Sequence, residues 1–289
     1  TPPSAGPSVA PAAVDTPRPA VAVAPAPVPA STPMPTVQPA TAEPAAPVKP
    51  VGTPPAPTPP ANQQIAAVVT PDALRRAVAS ALQGTACAVA EGDVSRNVGT
   101  VVIRGVVGRG QPEQELLRAV RDAARTAAVD WSLGVVEGPY CGVLDLVRSY
   151  TRPFGATTGG VEVALRGNRT SLVADDKVEI RAALPDFPSY LQVDYFSSDG
   201  SVAHLRTAAT GSPVLPARSP QEFFAGEVAP PFGTDLIVAV ASSVPLFQKD
   251  QALSDRTDTY LRELRAALDR RKPAQVASGV LMVRTSPRS

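Results

Sequence analysis

Tyr190-Leu191-Gln192-Val193-Asp194-Tyr195-Phe196, then Ser197-Ser198-Asp199-Gly200, then Ser201-Val202-Ala203-His204-Leu205-Arg206 is the stretch that decides how the C-terminal half folds. Two runs of strand-forming residues flank a short polar segment ending in Asp-Gly. That is a strong local signal for a β-hairpin. Working outward, strands are expected at 161–165, Lys177–Ala183, 222–224, 235–241 and 275–284. One amphipathic helix over 255–271 interrupts them, with Leu261, Leu264 and Leu268 on one face and Pro273 ending it. This order predicts an antiparallel β-sandwich-like unit with one long helix, over residues 154–289.

A different pattern precedes it. Thr70-Pro71-Asp72 reads as an N-cap, a proline in the first turn and an acidic first turn, and Leu74, Val78, Ala81 and Leu82 follow at helical spacing before Gly84. Strands at 87–90 and 100–107 come next, then a helix opened by Pro112 with Leu116, Leu117, Val120 and Ala124 on one face. A strand at 131–136 and a short helix or turn at 140–147 complete the unit. Residues 63–153 therefore read as a small α+β domain, and the whole chain as α+β.

The first 62 residues belong to neither unit. Of 34 prolines in the chain, 20 lie within the first 60 residues, alongside only four charged side chains (Asp15, Arg18, Glu43, Lys49) and no aromatic residue. Such a stretch buries too little apolar surface to offset its ordering entropy, so 1–62 reads as a disordered Pro/Ala-rich linker. At about 3.1 Å per residue its contour approaches ~190 Å. The chain opens at Thr1 in the middle of this run, and the expectation is that an anchor lies before it.

Charge and composition exclude several classes. A net charge of +1 leaves no electrostatic footprint for nucleic acid. No run approaches the ~20 apolar residues that span a bilayer, so no membrane span is expected within the chain. Cys87 and Cys141 lie 54 residues apart, so they form no CxxC motif, and with a single histidine they make a poor metal set. Two readings stay open: one disulfide within the first domain, or two small buried thiols. The disulfide is preferred because both fall in one domain and none is left over, and it implies an oxidising compartment, periplasmic or otherwise outside the cytoplasm.

Catalytic signatures are missing. Gly105, Gly108 and Gly110 follow a strand and precede a helix, but G-x-x-G-x-G is not the dinucleotide spacing, and a plain turn explains it. The Gly-rich loop, the strand lysine, HRD and DFG of a protein kinase are all missing, so kinase chemistry does not reside in this chain. No catalytic residue, metal or cofactor is assigned. His204 is the only histidine, and a period of two places it with Val202 and Arg206, leaving Ala203 and Leu205 as the expected core face. Asp175-Asp176 reads as a turn rather than half of a calcium site. The richest cluster is Leu184-Pro185-Asp186-Phe187-Pro188-Ser189-Tyr190, with Tyr195, Phe196, Phe223, Phe224 and Phe232 nearby in sequence. None of the 13 aromatics precedes Trp131. Core packing with proline corners is the main reading. An aromatic-lined ligand groove around Tyr190 and Phe232 is the functional one, with Asp186, Tyr190, Tyr195, His204, Phe232 and Asp235 as candidate binding residues.

Two resemblances sharpen this. Pro185-Asp186-Phe187-Pro188-Ser189-Tyr190-Leu191-Gln192-Val193-Asp194-Tyr195, with Asp199-Gly200 and Val202-Ala203-His204-Leu205, is similar to part of a bacterial domain of unknown function. So is Pro231-Phe232-Gly233-Thr234-Asp235-Leu236-Ile237-Val238-Ala239-Val240-Ala241-Ser242. That family stands at the C-terminal end of proteobacterial serine/threonine protein kinases and some caspase-like peptidases. Val101-Val102-Ile103-Arg104-Gly105-Val106-Val107, followed by residues 113–128, resembles the BON fold of envelope proteins, from which the two cysteines depart. These resemblances imply a non-catalytic, extracytoplasmic binding or sensory region of a transmembrane kinase, with an envelope protein, peptide or small ligand as partner. The alternative is a stand-alone envelope or secreted scaffold for protein–protein contact. A hydrolase built on Asp186, Asp194, Asp235 and His204 is the weakest expectation.

Overall fold

Thr70 caps the first helix as its sequence predicts. Its hydroxyl oxygen accepts a hydrogen bond from the Ala73 amide at 3.3 Å, and Pro71 occupies a first-turn position that needs no donor. The computed structural model describes residues 70–95, 99–270 and 275–288. The expected linker over 1–62 and the helix-ending Pro273 lie outside these.

Helix α1 (Pro71–Gly84) buries Leu74, Val78 and Leu82, and α2 (Gln111–Ala124) buries Leu116, Val120 and Ala124. Both cover one face of a three-stranded sheet, β1 (Ala88–Val94), β2 (Val101–Gly108) and β3 (Val129–Val136), where Val101, Ile103 and Val107 meet them. β1 pairs antiparallel with β2, and β3 lies parallel to β2 on the other side. The short helix α3 (Cys141–Val147) follows.

The C-terminal half supplies β4 (Glu162–Leu165), β5 (Ser171–Val173), β6 (Lys177–Ala183), β7 (Tyr190–Phe196), β8 (Ser201–Arg206), β9 (Pro220–Glu227), β10 (Thr234–Ser242), β11 (Ser254–Arg256), α4 (Thr257–Arg270) and β12 (Val276–Ser286). The expected hairpin forms: β7 and β8 pair antiparallel, and Gly200, with φ of 80°, donates its amide to Ser197 O. Six strands form one sheet in the order β11-β8-β7-β10-β12-β5, and β4-β6-β9 form another. Two three-residue strands, β5 and β11, were not anticipated. They sit at the two edges of the larger sheet, and β5 pairs parallel with β12. Strands this short carry no periodicity to read.

Both faces of the six-stranded sheet are covered. β10 shows why: Asp235 through Ser242 are all buried. Leu236, Val238 and Val240 meet α3 and α4, while Ile237, Ala239 and Ala241 meet β4 and β6. The sandwich side is closely spaced because its central residues are small. A Cβ on Gly279 would collide with the Val161 carbonyl, whose carbon would stand 2.9 Å away. The A-x-A alternation Ala239-Val240-Ala241 thus matches a close crossing of β4 over the sheet.

The two expected domains share a core. Val89, Val106 and Val136 turn from the back of the first sheet toward α3, where they join Phe196, Leu236, Leu246, Tyr260 and Leu264. Residues on either side of the 153/154 boundary thus belong to one compact unit. The Cys87–Cys141 disulfide is formed, with Cα atoms 4.4 Å apart, and joins the start of β1 to the start of α3. Closing a loop of 54 residues contributes about 4 kcal/mol in the chain-entropy account. Gly108 packs directly on it, since a Cβ there would collide with Cys87 Sγ. Only Gly110, at φ 88°, lies in the predicted strand-to-helix turn; Gly105 lies inside β2, where a Cβ would press on the Val89 backbone.

Substituting Gly279→Ala is expected to lower the unfolding free energy by about 3 kcal/mol, because the backbone of β4 must move to admit the methyl. Urea denaturation should show a reduced midpoint with unchanged slope. An unchanged midpoint would contradict the close crossing.

Candidate functional site

The stretch Tyr190-Leu191-Gln192-Val193-Asp194 places Gln192 and Asp194 on the face of β7 that carries Phe196, and that face is buried beneath α4. Polar side chains there need internal partners. Asp194 has three. Its Oδ1 accepts from Gln192 Nε2 at 2.7 Å and lies 2.7 Å from His204 Nδ1, while its Oδ2 accepts from the Tyr260 hydroxyl at 2.5 Å. Gln192 Oε1 in turn accepts from the Ala208 amide at 2.9 Å.

His204 extends the chain. Its Nε2 stands 3.4 Å from Asp255 Oδ2, and its ring packs against Tyr260 with centroids 4.4 Å apart. Both ring nitrogens face carboxylate oxygens, an arrangement satisfied by the doubly protonated imidazolium. Burial alone would lower the His204 pKa, but the hydrogen bonds and charges of Asp194 and Asp255 reverse this and hold it above its ordinary value. Burial pushes the Asp194 carboxyl up as well, and its donors offset part of that rise. Burial and the neighbouring Asp194 charge push Tyr260 well above the ordinary phenol value.

The expected core face of β8 needs correcting. His204 does not look to solvent: its side chain is 1% exposed, and Val202 on the same face is fully buried. The sheet is covered on both sides, so Leu205 also packs, on the sandwich core. A register shift in β7–β8, where Val193 pairs with Arg206 and Asp194 with His204, further breaks simple alternation.

A second network centres on Asp235. Oδ2 accepts from the Tyr195 hydroxyl at 2.8 Å and from Thr285 Oγ1 at 3.4 Å, and Oδ1 accepts from the Ser198 amide at 3.0 Å. Asp235 thereby ties the hairpin loop to β10 and β12. Burial, with the Asp235 charge beside it, pushes the Tyr195 hydroxyl far above its ordinary value. Tyr140, the residue before α3, donates to the Thr234 carbonyl.

The six candidate binding residues are not brought together. Tyr190 and Phe232 lie near opposite ends of the paired β7 and β10: Tyr190 pairs with Ser242, whereas Phe232 precedes Thr234. They also serve different cores, Tyr190 the helix-covered one and Phe232 the sandwich. The expected groove around the pair is therefore not formed, because packing claims both rings. Asp186 is exposed, beside a small cavity of about 190 Å³ with Arg218. The carboxylates of a hydrolase are likewise divided: Asp194 faces α4, and Asp235 joins Tyr195 on the other side of the strand pair. Asp175 adopts φ 67° in the predicted turn, and Asp176 there accepts from the Val173 amide at 3.1 Å and from Arg169 at 3.2 Å.

What sequence reasoning missed is a cleft of about 700 Å³ between the first sheet and β4 and β12. Arg152 stands in its wall, bonded to Glu91 at 2.7 and 3.0 Å and to Glu162 at 3.0 Å. Arg104 of β2 and Arg284 of β12 also line it. No family model matches the chain, and no curated protein matches it significantly. Among the described residues, no helix is long and apolar enough to cross a membrane.

The pH dependence of folding follows from His204. Its raised folded-state pKa means the stabilisation is complete below the ordinary value of 6.5 and is lost as pH climbs through the folded value. The rise of Asp194 carries the same sign, with its loss beginning at the ordinary carboxyl value of 3.8, so the fall toward alkaline pH is assigned to His204. Urea midpoints measured from pH 6 to pH 9 are expected to decline in the native protein, and His204→Gln should flatten that decline. An equal decline in the variant would remove His204 from the account.

Proposed function

We propose that this chain is a non-catalytic binding or sensory region that works outside the cytoplasm as part of a larger bacterial signalling protein, a transmembrane serine/threonine kinase. The Cys87–Cys141 disulfide is the observation that carries the reading. A disulfide in the shared core suits an oxidising space. The fate of the titratable groups supports the binding part. His204 has both nitrogens engaged by carboxylates, and Asp194 and Asp235 each accept several hydrogen bonds. These side chains hold strands together and have no free position for proton transfer to a substrate.

The kinase context rests on the resemblance at 185–195 and 231–242. The structure gives those motifs a physical sense: Gln192, Asp194, Tyr195 and Asp235 build the two networks, and Ala239 and Ala241 admit the close crossing of β4. They are residues that specify a fold, so the resemblance speaks to architecture more than to ligand. A linker over 1–62 would give the folded part reach from an anchor. The second reading, a stand-alone envelope scaffold, draws on the edge of β9, which among the described residues pairs only with β6 and carries the exposed Phe224.

Two measurements test the compartment. Thiol titration of freshly purified native protein is expected to find no free cysteine, and an alkaline phosphatase reporter fused after Ser289 is expected to be active in the source bacterium. Two free thiols or a silent phosphatase would overturn the extracytoplasmic reading. Sequencing the gene upstream separates the two contexts: a kinase domain and ~20 apolar residues support the first, a signal sequence the second.

A further inference from the structure

The cleft between the first sheet and β12 is floored by a close contact. Gly134 of β3 faces Met282 of β12 so closely that a Cβ on Gly134 would stand 2.9 Å from the thioether. One pleat repeat from that contact along β3 is Ser132, whose register partner across β2 is Arg104. One pleat repeat along β12 from Met282 is Arg284. The two guanidinium groups thus border the same opening from different sheets.

Among the arginines that line the cleft, their lack of partners separates them from Arg152. Arg152, in the same cleft, is saturated by Glu91 and Glu162, and Arg75 and Arg148 are paired elsewhere. Arg104 and Arg284 are exposed and make no side-chain ion pair or hydrogen bond among the described residues. Glu91 stands opposite Arg104 in the β1–β2 register, and it and Glu162 are both engaged by Arg152, so three arginines against two glutamates leave the opening net positive. Between them the lining is mixed: Val280 and Met282 are apolar and partly exposed, and Ser132 and Thr170 bring hydroxyls. The volume suits a small molecule.

From this we infer that the cleft is a binding site for a small organic anion, a carboxylate or phosphate joined to an apolar body. The planar fork of arginine pairs with either oxyanion through two parallel hydrogen bonds, and the apolar floor takes the body. The inference rests on the binding reading for its biological sense, but its chemistry is local. Failure of the cleft to bind leaves the compartment tests untouched, and failure of those leaves the cleft's chemistry intact.

Amide chemical-shift titration of the full chain is the test, with benzoate, phenyl phosphate and the neutral benzyl alcohol as probes. Benzoate and phenyl phosphate are expected to shift the amides of Arg104, Ser132, Gly134, Met282 and Arg284, more strongly than benzyl alcohol does. The stronger of the two anions reports whether the site prefers carboxylate or phosphate. The double substitution R104Q/R284Q should weaken anion binding at least tenfold, and Arg181→Gln, outside the cleft, should not. The anion-induced shifts should also shrink in added sodium chloride, a readout on the native chain that holds if the double variant does not fold. Shifts clustered elsewhere, equal response to benzyl alcohol, undiminished binding in a folded R104Q/R284Q variant or insensitivity to salt would overturn the proposal.

Discussion

Asp194 sits without exposed surface in the interior of a sheet that is covered on both faces. A carboxylate in that position costs several kcal/mol unless it is fully bonded, and the surrounding chain is arranged to bond it. Gln192 comes from its own strand, His204 from the next, and Tyr260 from a helix 66 residues further on. Asp255 then holds the far side of His204 at the point where β11 leads into α4. This one buried carboxyl group, through its partners, ties the hairpin, the edge strand and the covering helix together. Hydrophobic contact among Phe196, Leu236 and Leu264 drives these elements together, and the polar chain selects their register.

The first half of the chain joins through the same core. Its sheet is covered by α1 and α2 on one face, and the other face gives Val89, Val106 and Val136 to the layer that holds Tyr260. The Cys87–Cys141 bridge lies where this layer begins, and Gly108 leaves room for it. Three apolar layers thus stack in sequence: helices on a small sheet, that sheet and α3–α4 on the large sheet, and the large sheet on β4-β6-β9. The cleft beside β12 lies along the junction of the small sheet with β4 and β12.

Much of this architecture was legible because local signals were strong. Thr70-Pro71-Asp72, the Asp199-Gly200 turn and the leucines of α4 each mark an element whose bounds the structure reproduces closely. The sites were less legible, for physical reasons. Tyr190, Phe232 and Asp235 are chemically capable of meeting a ligand, yet all three are absorbed by packing that only the topology reveals. One usable signal was present: in Tyr190-Leu191-Gln192-Val193-Asp194 the polar residues share the face of Phe196, which a core strand tolerates only when a polar network awaits them. Arg104 and Arg284, 180 positions apart and unremarkable in composition, meet at one opening only because β2 and β12 pack together.

The large sheet is bordered at each side by a strand of three residues, β11 pairing with Ser201–Ala203 of β8 and β5 with Arg284–Ser286 of β12. A long interior strand such as β10 would, at a margin, offer many unpaired amides and carbonyls to a neighbouring copy. The margin strands themselves offer few, and most of β12 is left to the cleft beside it. The same brevity makes the margins the places where hydrogen exchange begins, so each copy loosens at its borders while its centre stays shut.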